Sequence, residues 1–214
     1  MKTFTFFLNI LFLAPTLWAQ DGNFIHYELT TSTDDPDSEM AVSLMNGSTM
    51  TIVSDANYTY VKTNVGAFST TEVSTDIAKD TMIMFMSGMM GNMAFAGSLD
   101  SLKDDSDTIT KKIEYTNETK MILGYQCKKA IVTEEDGSES IFWYTAKIKL
   151  PNDVEAMPNG LPGICLEMTS KQENITMTYV AVEIKTNINA TDYKIVIPDN
   201  VEVMTFFELY NMRQ

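Results

Sequence analysis

Methionine thioethers are the side chains of this sequence whose type and spacing could do chemistry. Sixteen occur in 214 residues, and Met82, Met84, Met86, Met89, Met90 and Met93 crowd into one stretch that ends at Phe95. Thioether sulfur is a soft donor suited to Cu(I), and Met89, Met90 and Met93 have the spacing of a loop site. The same unbranched side chains also adapt to apolar ligands of variable shape. Gly88, Gly91 and Gly97 disfavour a long helix and supply hinges. Three readings follow: ordinary packing, an apolar flap over a cavity, or a copper site. Among those that bind something, the flap leads, with Met82, Met84, Met86, Met89, Met90, Met93 and Phe95 as its residues. Copper at Met89, Met90 and Met93 is the alternative.

Other chemistry is thinly represented. His26 is the single histidine and would have to serve every acid–base role. The sequence holds no Gly-X-Ser-X-Gly elbow, no His-Glu-X-X-His pair and no phosphate-cradling glycine loop. The acidic runs at 34–37, 104–107 and 134–136 lack the alternation and distal Glu of a calcium loop. The expectation is a protein that is not an enzyme and needs no cofactor. A formal net charge of −14 repels nucleic acid.

The first residues read as a secretory signal: Lys2, an apolar run over 4–13, Pro15, then Leu17-Trp18-Ala19. Cleavage after Ala19 would leave 20–214 as a single exported domain. Cys127 and Cys165 are the two cysteines, and in an oxidising compartment an even count favours a disulfide. Closing that loop of roughly 40 residues would stabilise the fold by about 3–4 kcal/mol.

The elements that must position these residues are mostly strands. Period-two alternation marks 24–30, 50–54, 58–62, 67–74, 108–115, 127–133, 140–145, 164–169, 175–185 and 193–197. Trp143 alternates with Ile141 and Thr145, opposite Phe142 and Tyr144. A strand with aromatics on both faces is covered twice or lines a cavity, and Trp143 joins the candidate ligand residues. Asp37 to Asn46 reads as a helix closed by Gly47. Val201 to Met212 reads as helix or strand. In Pro158-Asn-Gly-Leu-Pro-Gly-Ile-Cys-Leu-Glu167, Pro162 and Gly163 suit a type II turn with Gly163 at positive φ. The fold class expected is mainly β, a single large curved antiparallel sheet with one or two covering helices.

Gly160-Leu-Pro-Gly163 before an Ile-Cys-Leu-Glu strand resembles the signature of the GLPGLI family. Gly124-Tyr-Gln-Cys-Lys-Lys-Ala130 and Trp143-Tyr-Thr145 resemble the related domain-of-unknown-function 4412 family. Both look related to the LolA/LolB-like half-barrel, whose concave face takes lipoprotein acyl chains. The resemblance implies an exported protein of the periplasm or outer envelope of a Gram-negative cell, with a lipid or acyl chain as ligand. It supplies no catalytic residue.

Overall fold

The computed structural model describes residues 22–66, 68–89, 91–99, 112–148 and 160–212. The expected signal segment, Pro158 and Met90 lie outside them. Among the described residues the fold is mainly β. Its strands are β1 (Gly22–Thr33), β2 (Thr49–Ser54), β3 (Tyr58–Val65), β4 (Ser69–Asp76), β5 (Thr81–Gly88) and β6 (Met93–Gly97). They continue with β7 (Lys112–Ile122), β8 (Tyr125–Thr133), β9 (Glu139–Thr145), β10 (Ile164–Gln172), β11 (Ile175–Ile188) and β12 (Val203–Thr205). Two short helices, α1 (Glu39–Met45) and α2 (Phe206–Met212), complete the set.

The twelve strands form one open sheet in the order β12-β6-β5-β4-β3-β2-β1-β11-β10-β9-β8-β7. Every pairing is antiparallel except β12 on β6, which is parallel and makes the sheet mixed. Hairpin chemistry sets the register. In the β2–β3 turn, Asp55 Oδ1 accepts the N–H groups of Asn57 and Tyr58, both at 2.9 Å. In the β8–β9 turn, Asp136 Oδ1 accepts from the Ser138 N–H at 2.8 Å, and Gly137 takes φ +83°. Ahead of α1, Asp35 accepts from the Asp37 N–H and the Ser38 hydroxyl, with Pro36 opening the turn.

Register and alternation divide the sheet into two faces. On one, a continuous apolar row runs Met204–Phe95–Met84–Val73–Val61–Ile52–Ile25–Ile184 across eight strands. Ile25, Tyr27, Ile52 and Phe95 are fully buried there. The main core cluster joins Ile25, Tyr27 and Ile52 to Tyr144, Ile148, Ile164 and Leu166 near the other end of the sheet. Tyr27 marks how closely the strands twist together, since its hydroxyl donates to the Cys165 carbonyl at 2.8 Å, two strands away.

Two local expectations need correction. Segment 193–197 is not a strand. Tyr58 donates its hydroxyl to the Tyr193 carbonyl at 2.8 Å. The Tyr193 ring meanwhile packs on Phe24 and Tyr60, with centroids 5.7 and 6.1 Å apart. The segment is thereby held on the sheet's surface and out of its ladder. Gly163 also lacks the positive φ expected of it; Gly160 carries that conformation instead, at +97°. Gly163 is required for space. A Cβ there would overlap the Thr145 carbonyl oxygen and lie 2.8 Å from Ala146 Cα.

Candidate functional site

The methionine-rich stretch folds as the β5–β6 hairpin. Met82, Met84 and Met86 alternate onto the apolar face, where Met84 pairs with Phe95 and Met86 with Met93. Phe95 is fully buried and stacks on Phe206 of α2 at 6.3 Å. Burial of such a ring stabilises the fold by about 2–3 kcal/mol. Phe95 and Met82 are therefore core. Met84, Met86 and Met93 are half-buried, whereas Met89 stands 77% exposed in the turn. The register sets Met93 against Met86, and Met90 lies outside the described residues.

A hollow opens elsewhere on the apolar face. The row Leu29–Tyr179–Met168–Phe142–Ala130–Tyr115 crosses β1, β11, β10, β9, β8 and β7. Where β11, β10 and β9 bring Tyr179, Met168 and Phe142 side by side, they enclose about 250 Å³ with Met50, Thr169 and Ser170. A second hollow of about 480 Å³ follows along the same two strands, lined by Met45, Gln172, Glu173, Ile175 and Met177. Together they form a groove along β10 and β11 that ends beside α1. Burial pushes the Tyr179 hydroxyl above the usual tyrosine range, so it stays protonated and able to donate. The groove thus offers thioethers and two aromatic rings, with hydroxyl groups at its edge. That suits an apolar side chain flanked by polar backbone. Sequence reading missed it because Met50, Phe142, Met168 and Tyr179 come from four strands. The one local signal was alternation, which puts Met168 with Ser170 and Met177 with Tyr179.

The opposite face carries ion pairs beside a smaller apolar cluster of Val53, Tyr58, Tyr60 and Ala190. Lys62 pairs with Glu72 at 2.7 Å, Lys120 with Glu167 at 2.6 Å, Lys129 with Glu118 at 2.8 Å and Lys185 with Glu183 at 2.9 Å. Trp143 lies within this lattice, between Lys129 and Glu167 in register. The Lys120 ammonium sits 4.3 Å from its ring centroid, a cation–π contact that caps the indole. Trp143 is therefore on the face opposite the groove. His26 stands between Glu183 and Thr51 in register, and its Nδ1 lies 2.8 Å from Thr51 Oγ1. Glu183 is held by Lys185 rather than by the imidazole, so the row does not make a nucleophile–base–acid relay.

Cys127 and Cys165 are free thiols, which corrects the expected disulfide. They lie on β8 and β10 with β9 between them. Two strand spacings come to about 9.5 Å, beyond the roughly 7 Å of Cα separation that a disulfide spans. Both are fully buried. Burial, and then the charge of Cys127, pushes the Cys165 thiol up to about 12, and burial also raises Cys127. Neither is a nucleophile at neutral pH. Among the described residues, no group of three or more His, Cys, Asp or Glu side chains is placed to hold a metal ion.

Residues 38–207 match the family described as N-glycanase peptide, N-terminal domain. Two solved structures of PNGF-II, in the C2 and P21 space groups, are similar at 14% and 15% identity, with TM-scores of 0.49 and 0.48. Each alignment covers 90% of this chain, which spans about a third of theirs, 32% and 33%. No curated protein matches. The family match contains the Gly160–Gly163 turn, the Gly124–Ala130 block and Trp143–Thr145. It overturns the resemblance to the GLPGLI, domain-of-unknown-function 4412 and LolA/LolB-like families. The shared blocks are a turn, a turn with the start of β8, and the end of β9, local features that any such sheet needs. The chain belongs to the N-glycanase N-terminal domain family.

Proposed function

We propose that this domain is a non-catalytic module that holds the peptide portion of the N-glycosylated peptides on which an N-glycanase acts. The carrying observation is the hollow of Met50, Phe142, Met168 and Tyr179, with Ser170 and Thr169 at its wall. A peptide laid along β10 and β11 would set one apolar side chain into this hollow and the next into the second. Its backbone would meet the hydroxyls of Ser170 and Tyr179. Three features of the described residues speak for a holding role rather than a catalytic one. His26 is paired with a threonine, both thiols are buried and protonated, and Glu72, Glu118, Glu167 and Glu183 of the charged face are tied to lysines. Export, read from Lys2 and the apolar run over 4–13, suits a substrate met outside the cell.

Calorimetric titration of the protein with an N-glycosylated peptide carrying Leu or Phe beside the glycosylated Asn tests the reading. Phe142→Ala removes a ring wall and should weaken binding by about tenfold or more, since 1.4 kcal/mol is one decade. Ser170→Phe fills the hollow without deleting any core side chain and should act in the same direction. Absence of binding by the intact protein refutes the proposal. So does unchanged affinity in both variants when their melting temperatures are native.

A further inference from the structure

Resting on that reading, we infer that the groove selects uncharged peptide flanks and rejects acidic ones. Register and alternation place every strand carboxylate among the described residues on the charged face, Glu28, Glu72, Glu167 and Glu183 among them. The first hollow holds neither carboxylate nor cation. Among the described residues the one charged strand residue on the apolar face is Lys128, exposed and in register with Tyr144 and Thr119. It stands beyond Ala130, the partner of Phe142, and is not part of the hollow's lining.

A chain with 29 acidic residues thus leaves its ligand groove free of charge along the strands, and two consequences follow. An Asp or Glu side chain entering beside Phe142 and Met168 would lose hydration without gaining a cation. At the groove's outer end, Glu173 lines the second hollow. Asp35 is fastened to the same turn, accepting from Asn174 Nδ2 at 3.1 Å. The hydrogen bonds from Ser38 and Asn174 hold the Asp35 carboxyl below the usual range and keep it ionised. Against the single cation of Lys171 at this strand end, Glu173 and Asp35 leave the outer end net negative, and it repels anions over about a Debye length, roughly 8 Å at physiological ionic strength. The hollow excludes them by desolvation, which salt does not relieve. The two contributions can therefore be separated by salt.

The experiment uses two glycopeptides with the same glycan. One has Leu on either side of the glycosylated Asn, and the other has Glu at both positions. Both are titrated into the full chain at low ionic strength and again at about 0.5 M salt. The Leu peptide should bind at least tenfold tighter at low salt. Added salt should narrow that gap without closing it, and Glu173→Gln should narrow it in the same direction. Equal affinities for the two peptides, or preference for the Glu peptide, overturn the selection while leaving the holding role intact. Binding of neither peptide overturns the holding role, and the selection falls with it.

Discussion

Replacement of Gly163 by alanine tests how the turn before β10 works. The residue precedes Ile164, whose ladder partner is Thr145 of β9. A Cβ at position 163 would run into the Thr145 carbonyl oxygen, and both Thr145 C and Ala146 Cα would lie 2.8 Å away. All three atoms are backbone, so no rotamer change relieves the overlap, and β9 must move against β10. Overpacking of this kind costs about 1–3 kcal/mol, and a backbone obstacle places Gly163→Ala in the upper half of that range. For a domain of this size 1 kcal/mol shifts the melting temperature by roughly 2–4 °C, so scanning calorimetry should show a loss of about 4–12 °C. Gly124→Ala is the control. Gly124 has φ +81° and nothing within 4 Å of where a Cβ would stand, so only the left-handed conformation is penalised, at about 1–2 kcal/mol. Asparagine separates the two mechanisms, because it tolerates left-handed backbone but not lack of space. Gly124→Asn should be nearly neutral, and Gly163→Asn should be at least as damaging as alanine. A Gly163→Ala protein that melts within about 1 °C of the parent, well short of the expected loss, refutes the packing argument.

Without reductant, the native protein should resist iodoacetamide at pH 8, and the denatured chain should take two adducts by mass; a denatured chain that takes none would restore the disulfide. The Cys165 thiol, raised from 9.0 to about 12, gives an alkaline signature. The unfolded thiol ionises first, so the unfolded state binds fewer protons above pH 9 and stability falls as pH rises through that window toward 12. Cys165→Ala should flatten that slope in urea titrations at pH 8, 9 and 10, and an unchanged slope would remove Cys165 as its source. Tyr58→Phe leaves the Tyr193 carbonyl without its 2.8 Å donor. It should cost about 1 kcal/mol, seen as a melting shift of roughly 2–4 °C, and no shift would show that the 193–197 segment is held by its ring contacts alone.

What the sequence disclosed was local. Alternation located β2, β3, β8, β9, β10 and β11, and Asp55 and Asp136 stood where hairpin turns need an Asx acceptor. Glu39–Met45 is helical within the span that Asp37 and Gly47 bracket. The dual pattern of 201–212 resolves into both elements, β12 and then α2. Segment 193–197 alternates as well as any strand, and no local signal says that Tyr58, Phe24 and Tyr60 will engage it first. Gly163 shows the same limit, since a glycine kept for space looks in sequence like one kept for positive φ. The disulfide expectation failed for a topological reason. Cys127 and Cys165 both begin strands, but whether those strands are neighbours depends on where β9 inserts.

The groove was illegible for a further reason. Density of one residue type along the chain drew attention to 82–93, where neighbours in sequence alternate across a hairpin and much of their surface becomes core. The groove concentrates methionines in space instead. Met45 comes from α1, Met50 from β2, Met168 from β10 and Met177 from β11. β11 makes this possible, because it inserts between β1 and β10 and so joins the first strands of the chain to the later hairpins. Leu29↔Tyr179 and Tyr179↔Met168 are consequences of that single insertion. A one-residue slip of β11 would exchange Tyr179 for Val180 or Thr178 and send the ring to the charged face. The bulge that leaves Val182 without a partner, between the His26↔Glu183 and Tyr27↔Ala181 pairs, absorbs such a slip. It lets Glu183 lie on the charged face while Ala181, Tyr179 and Met177 line up on the apolar one. The separation of charge from groove therefore rests on this bulge in β11 together with the register shift between Cys165 and Glu167 in β10, and deletion of Val182 should damage ligand binding and sheet stability together.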